Sequence, residues 1–292
     1  MRKIIAAFSD THGGHKLGLM NPEVVLYDED EQGNLVPYTP RLTATQKYLW
    51  SQYQQDINSV IELAAGDDIV VIHCGDTTHG TKYPNQLVST RPADQILIAV
   101  ANFQPWLAIP NLSAFRLTQG TAAHNFGEAS AEILVTEQLR AQYPDIDVGT
   151  VRHGLADVDG MLIDYAHHGP STGIRKWTEG NQMHYYTRSL MFAELLRGQI
   201  PPRVVFRGHR HEYKRITERV ESEEGDDRRL TYWEADMIVL PSFCGLSEHG
   251  QQATQSNYLI ANGVVALEVV DGSLIDAHPF CRSVDLRTRE EL

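Results

Sequence analysis

At 292 residues the chain can form one large domain or two ordinary ones, and its 42% apolar and 22% charged content is that of a soluble globular protein. A formal charge of −13 argues against a protein that lives on the phosphate backbone of long nucleic acids, where counterion release rewards a basic surface. Three cysteines without a C-x-x-C pair argue against a disulfide framework or a thiolate zinc site and fit a cytoplasmic setting, and no run approaches the roughly 18 apolar residues of a membrane span.

Residues 3–9 (KIIAAFS) read as a strand, because the stretch from Ile4 to Phe8 is too short for a signal-peptide core. The strand ends in Ser9-Asp10-Thr11-His12. The stretch 13–43 is too long for an ordinary connection. Its EVVLY and NLVPY segments, joined by the acidic run 28–34, read as a hairpin insertion with a solvated turn. In 44–64, Leu49, Tyr53, Ile57, Val60, Ile61 and Ala64 recur at spacings of three and four, which predicts a helix stopped by Gly66. A second strand, 68–74, ends in Cys74-Gly75-Asp76, and a helix over 92–106 opens with Pro92. A third helix is predicted over 128–142. Strand 160–166 then runs into Ala166-His167-His168-Gly169-Pro170. A fourth helix, 184–197, is stopped by Gly198 and Pro201, and strand 202–207 leads into Gly208-His209-Arg210-His211. Beyond it, 212–220, 228–240 and 258–270 read as strands, with the acidic run 221–227 as a turn. Alternating strands and helices followed by strands predict an α/β (α+β) fold with two sheets face to face and helices outside, in one domain over 1–292.

The chemistry-bearing residues fall in one pattern. Four strands far apart in sequence each present Asp or His at the carboxyl end, where ligands bind in open α/β sheets. In extended backbone, residues i and i+2 project to one side. Asp10 with His12, and His209 with His211, are therefore expected to converge. Carboxylates and imidazoles without thiolates suit Mn²⁺, Fe or Zn²⁺. Six such ligands, Asp10, His12, Asp76, His167, His209 and His211, are too many for one tetrahedral ion and suit two ions sharing a carboxylate, with Asp76 as the bridge. Neighbours in a strand point oppositely, so one of His167 and His168 faces the metals, and its position directly after the strand favours His167. His79, on the loop after Asp76, is a candidate to touch substrate.

D-x-H, then G-D, then a lone His, then G-H-x-H, in this order, resembles the calcineurin-like metallophosphoesterase superfamily. The resemblance implies a four-layer α-β-β-α sandwich of two mixed sheets. It implies two divalent cations, Mn²⁺ first, with Zn²⁺, Fe or Mg²⁺ as alternatives. One would be held by Asp10, His12, Asp76 and His211, the other by Asp76, His167 and His209. The family's third motif, Gly-Asn-His, is altered here to Leu117-Thr118-Gln119-Gly120-Thr121-Ala122-Ala123-His124-Asn125. Gly120 fits, Thr121 stands where the Asn would, and the His comes two residues late. Three readings follow. His124 reaches the substrate as the acid, with Thr121 or water completing the coordination; or His124 or Asn125 becomes the ligand; or the second ion is weak and activity is lost. The first is the working expectation. With His168 as a further candidate ligand, Asp76 and His124 are then the catalytic pair.

Two such ions activate water for hydrolysis of phosphomonoesters or phosphodiesters, with no Ser or Cys nucleophile required. Arg175, Lys176 and Trp177 follow the His167 motif, and a basic pair beside an aromatic suits a nucleotide or a short nucleic acid. The alternatives are a metallonuclease acting on DNA or RNA ends, a phosphoprotein phosphatase, and a metal-binding assembly protein that kept the fold without turnover.

Overall fold

The computed structural model describes residues 1–126, 130–173, 176–224, 229–246 and 258–290. From the amino terminus come β1 (Arg2–Phe8), β2 (Leu26–Glu29), β3 (Leu35–Tyr38), α1 (Ala44–Ala64), β4 (Asp68–His73), α2 (Pro92–Leu107) and β5 (Leu112–Thr118). Next are α3 (Ala131–Gln142), β6 (Asp147–Val151), β7 (His153–Val158), β8 (Met161–Ala166) and α4 (Asn181–Leu196). The chain continues through β9 (Val204–Arg207), β10 (Lys214–Glu224), β11 (Arg229–Val239), β12 (Leu259–Val270) and β13 (Ser273–Asp285). No described helix is long and apolar enough to cross a membrane.

Six strands form one sheet in the order β13-β12-β1-β4-β5-β6, and five form a second in the order β10-β11-β9-β8-β7. Both are mixed. β1, β4, β5 and β6 run parallel, as do β8, β9 and β11, and the other pairings are antiparallel. Side-chain alternation along β1 sets the layers. Ile4, Ala6 and Phe8 join Leu49, Tyr53 and Ile57 of α1, Phe103 and Trp106 of α2, and Val135 and Leu139 of α3 in one buried cluster. Ile5 and Ala7 point the other way, into a cluster with Ile163, Val204, Phe206 and Ile238 of the second sheet. That sheet's outer face puts Val205, Met237 and Val239 against Met183 of α4. The result is an α-β-β-α sandwich of two mixed sheets.

Local signals set the helix ends. Thr43 caps α1 with its hydroxyl accepting from the Gln46 N–H, while the Gln46 side chain accepts from the Thr43 N–H. The helix closes on Ala65 in the left-handed region, followed by Gly66 at φ 99°. α3 begins at Ala131 and α4 at Asn181, against expected starts at 128 and 184, and residues 128 and 129 lie outside the described residues. Between 13 and 43, β2 and β3 pair as a ribbon whose turn is organised by Asp30, with Oδ1 accepting from the Gln32 and Asn34 N–H groups. The acidic run 28–34 is therefore turn and strand end. Within the run 221–227, residues 225–227 lie outside the described residues.

Four strands carry no clear sequence signal. β13 holds Pro279 and many exposed side chains, which an edge strand tolerates and a central one does not. β7 places Gly154 under the Tyr165 ring, where an added Cβ would stand 2.1 Å from Cζ, and only the folded pair reveals that contact. β5 and β6 mix polar with apolar residues because each is only partly covered.

Trp106 is fully buried and stacks on Phe8 with ring centroids 5.7 Å apart. Trp106→Ala should cost about 3–5 kcal/mol of stability through lost packing and an unfilled cavity, read as a lower urea midpoint at unchanged slope.

Candidate metal centre

The carboxyl ends of β1, β4, β8 and β9 are tied to one another beyond the strands. The Cys74 N–H donates to the Phe8 carbonyl (2.8 Å), the Asp10 N–H to Gly75 (3.0 Å) and the His12 N–H to Asp76 (3.0 Å), so two loops run on side by side. The Gly208 N–H donates to the His167 carbonyl (3.0 Å), and the His209 N–H to Asp10 Oδ2 (2.8 Å), which binds one sheet to the other.

Convergence of the Asp and His side chains does not come from strand alternation. β1 ends at Phe8 and β9 at Arg207, and Asp10, His12, Asp76, His209 and His211 all have positive φ, from 44° to 73°. Left-handed backbone costs a non-glycine residue roughly 1–2 kcal/mol. Five such residues at one place mean that the surrounding hydrogen bonds dictate the conformation. Asp10 and His12 do meet in one group, through left-handed backbone instead of extended alternation, while for His209 with His211 the i,i+2 expectation is corrected. His209 and His211 serve different neighbours, because the turn between them rotates one away from the other.

His211 Nε2 lies 3.4 Å from Asp10 Oδ1 and 3.3 Å from His12 Nε2, and His12 Nε2 lies 3.7 Å from Asp10 Oδ1. Beside this group, Asp76 Oδ2 is 3.1 Å from His167 Nε2, and the Thr121 hydroxyl is 3.2 Å from Asp76 Oδ2, 3.1 Å from His167 Nε2 and 3.3 Å from His209 Nδ1. Asp76 Oδ2 is also 4.0 Å from His12 Nε2, so Asp76 stands between the two groups. His168 is exposed, with its ring 4.8 Å from that of His209, whereas His167 is buried.

These donors fit divalent cations. Two atoms bound about 2.1 Å from one ion at tetrahedral or octahedral angles lie about 3.0–3.4 Å apart, close to most of these separations. Asp10 Oδ1 is buried with no hydrogen-bond partner, an orphaned acceptor that a cation would satisfy. The His167 Nδ1–H donates to the Cys74 carbonyl at 2.7 Å, which leaves Nε2 facing Asp76, the outer hydrogen bond typical of a ligating imidazole.

Burial alone would raise both carboxyl groups, but the imidazoles of His211 and His12 hold Asp10 below the usual range, and those of His167 and His124 do the same for Asp76. Burial brings His12 and His209 down to about 4, and so favours the neutral imidazole that binds metal. Burial opposes a charge on His167 as well, but the Asp76 carboxylate outweighs it and raises the group to about 10.

The segment 120–125 folds into the same place. Gly120 passes so close to Asp76 that an added Cβ would stand 2.1 Å from Oδ1, and the Thr121 N–H donates to that oxygen at 2.6 Å. His124 directs Nδ1–H to the His79 carbonyl (2.7 Å) and puts Nε2 3.7 Å from Asp76 Oδ2. Asn125 is engaged elsewhere, with its Oδ1 accepting from the Ala131 N–H at the start of α3 (3.3 Å). His79 is 8% exposed, with its Nδ1 3.4 Å from Nδ1 of His12. Trp177 is 81% exposed, while Arg175 and the side chain of Lys176 lie outside the described residues.

Three contributors have little sequence signal. His15, three residues after His12, is buried with its ring 4.2 Å from that of His79. Gln95 of α2 accepts from the His79 and Gly80 N–H groups (3.2 and 3.0 Å) and donates to the Gly80 carbonyl (3.0 Å). Glu132 of α3 accepts from the Thr77 N–H and hydroxyl, both at 3.2 Å, and so anchors the loop after Asp76.

No family model and no curated protein matches the chain. Matching solved structures include a protein of unknown function from Aquifex aeolicus, 14% identical over 71% of this chain and 78% of that one, with a TM-score of 0.31. Another is a metallophosphoesterase from Sphaerobacter thermophilus, 13% identical over 98% of this chain and 90% of that one, with a TM-score of 0.30. Likeness this slight assigns no function. The clustered Asp and His donors are what could hold metal ions.

Because Gly120 abuts Asp76 without a positive φ, its substitution is a purely steric test. Gly120→Ala should displace the Asp76 carboxylate and lower bound divalent metal by at least about tenfold at fixed free Mn²⁺, measured by elemental analysis after dialysis.

Proposed function

We propose that the chain is a metal-dependent phosphoesterase that uses two divalent cations, Mn²⁺ by preference, to hydrolyse phosphomonoesters or phosphodiesters of nucleotide type. In this reading the described segments form one phosphoesterase domain bearing the 13–43 hairpin. One observation carries it: Asp76 stands between two groups of Asp and His donors, with His124 Nε2 3.7 Å from its Oδ2. Asp10, His12, Asp76 and His211 would hold one cation, and Asp76, His167 and His209 the other. Thr121 offers a neutral hydroxyl to the second set. Such cations supply Lewis-acid polarisation of phosphoryl oxygens and acidify a water toward neutral pH.

The chain's own residues do the rest. Asp10, Asp76, His12 and His167 form a buried floor that excludes bulk water, while His209, His211, Thr121 and His124 are half-buried and line the approach. The His79 carbonyl fixes Nδ1 of His124 as a donor, so Nε2 is the atom that would hold a proton and hand it to the leaving oxygen. Burial pushes the thiols of Cys74 and Cys244 up, which favours activated water over a cysteine nucleophile. The exposed Trp177 ring is available to stack a base, with Lys176 and Arg175 beside it in sequence. The charge of −13 supports a nucleotide or short nucleic acid over a long duplex.

The decisive experiment pairs metal analysis with hydrolysis of bis-aryl and mono-aryl phosphates. Chelation should abolish turnover and Mn²⁺ restore it, and Asp76→Asn should lower the rate by at least about 100-fold. Undiminished hydrolysis after thorough chelation would overturn the proposal. Full metal occupancy with neither ester cleaved would reassign the chain as a metal-binding protein. His124→Ala should cost about 10²–10⁴-fold, with the deficit shrinking as the leaving phenol is made more acidic.

A further inference from the structure

His79 lies against the proposed ligand set without belonging to it. Its ring is buried among those of His12, His15 and His124, at centroid distances of 5.3, 4.2 and 5.0 Å. Its Nδ1 is 3.4 Å from Nδ1 of His12, and its Nε2 is buried without a partner. His12 turns its other nitrogen, Nε2, toward His211 Nε2 and Asp10 Oδ1.

A neutral imidazole that offers Nε2 to a cation carries its proton on Nδ1. The acceptor of that N–H then fixes both the tautomer and the rotation of the ring. A carboxylate, a carbonyl or water is the usual acceptor. Here the atom facing His12 Nδ1 is the Nδ1 of a second histidine, which can accept when its own proton sits on Nε2. His79 is itself immobilised. Its N–H is shared between the Gly13 carbonyl and Gln95 Oε1, both at 3.2 Å, and the N–H and carbonyl of the next residue, Gly80, are both held by the side chain of Gln95, which is fully buried. Gly80 follows at φ 73°, where an added Cβ would come within 2.6 Å of the Ala123 carbonyl oxygen. With the backbone pinned and one ring face covered by His15, the His79 imidazole has little freedom to leave His12.

We infer that His79 is a positioning residue: it accepts the His12 Nδ1–H at its own Nδ1 and so aims His12 Nε2 at the cation shared with Asp10 and His211. This inference rests on the metal reading of the site and adds to it a residue that acts through His12.

The test is a chelator-competition titration of the full chain with Mn²⁺ alone, comparing wild type, His79→Ala and His79→Asn. Asparagine can place Oδ1 where the imidazole has Nδ1, so it retains an acceptor and loses the ring. His79→Ala should weaken one of two bound ions by about 10–100-fold and leave the other, while His79→Asn should stay within about threefold of wild type for both. The inference is overturned if His79→Ala binds both ions as wild type does, or if His79→Asn is as impaired as His79→Ala. Tight binding by wild type together with an unimpaired His79→Ala overturns this inference alone. A wild-type chain that takes up no Mn²⁺ overturns it and the metal reading together.

Discussion

The cross-loop hydrogen bonds beyond the strand ends are what the site depends on. They hold Asp10, His12, Asp76, His209 and His211 in left-handed backbone, a conformation that costs each residue energy. The geometry repeats across the two sheets. Beyond β1, β4 and β9 the chain enters left-handed backbone and a carboxylate or imidazole faces inward, while His167, directly after β8, reaches the same place without a positive φ. Glycines flank the reversals where backbones must nearly touch. Gly75 packs against the His167 ring, Gly120 against Asp76, and Gly208 against Ser9 and the Cys74 carbonyl.

Electrostatics follow from that placement. Two buried carboxylates could not stay ionised against desolvation by themselves, and the ring of imidazoles is what holds Asp10 and Asp76 below the usual carboxylate range. The same burial keeps His12 and His209 neutral and therefore able to donate lone pairs. Charge and burial are graded along the site, from an enclosed floor at Asp10 and Asp76 to a half-exposed rim at His209, His211 and His124.

Support for the site comes from elements with no chemistry of their own. α2 sends Gln95 to the backbone of His79 and Gly80, and α3 sends Glu132 to the loop after Asp76. The helices that cover the six-stranded sheet thus also fix the loops at its end, and this couples packing of the core to the precision of the donors. The segment 120–125 fits the same logic. Thr121 gives a backbone N–H to Asp76 and a hydroxyl to the second donor group, while the late His124 gains reach from a single turn of 3-10 helix over Ala122–His124.

Much of this was readable in the residues themselves. Continuous apolar runs bounded by turn residues locate β1, β4, β8 and β9, which are buried on both faces, and three-to-four spacing with start and stop residues locates α1, α2 and α4. Asp or His directly after four of those strands marks where chemistry would gather. The one-dimensional pattern could not say how the side chains meet. Extended alternation would have paired His209 with His211, whereas the left-handed turn sends them to different neighbours. Nor could it assign His15, His79 or Gln95. Their roles arise from contacts between segments roughly 16 to 70 residues apart, and such contacts exist only once the sheets have brought the loops together. Composition and spacing determined the layers and the kinds of ligand atom; tertiary structure decided which atoms face one another, because backbone twist at a strand end is set by the neighbouring loop and not by the residue that adopts it.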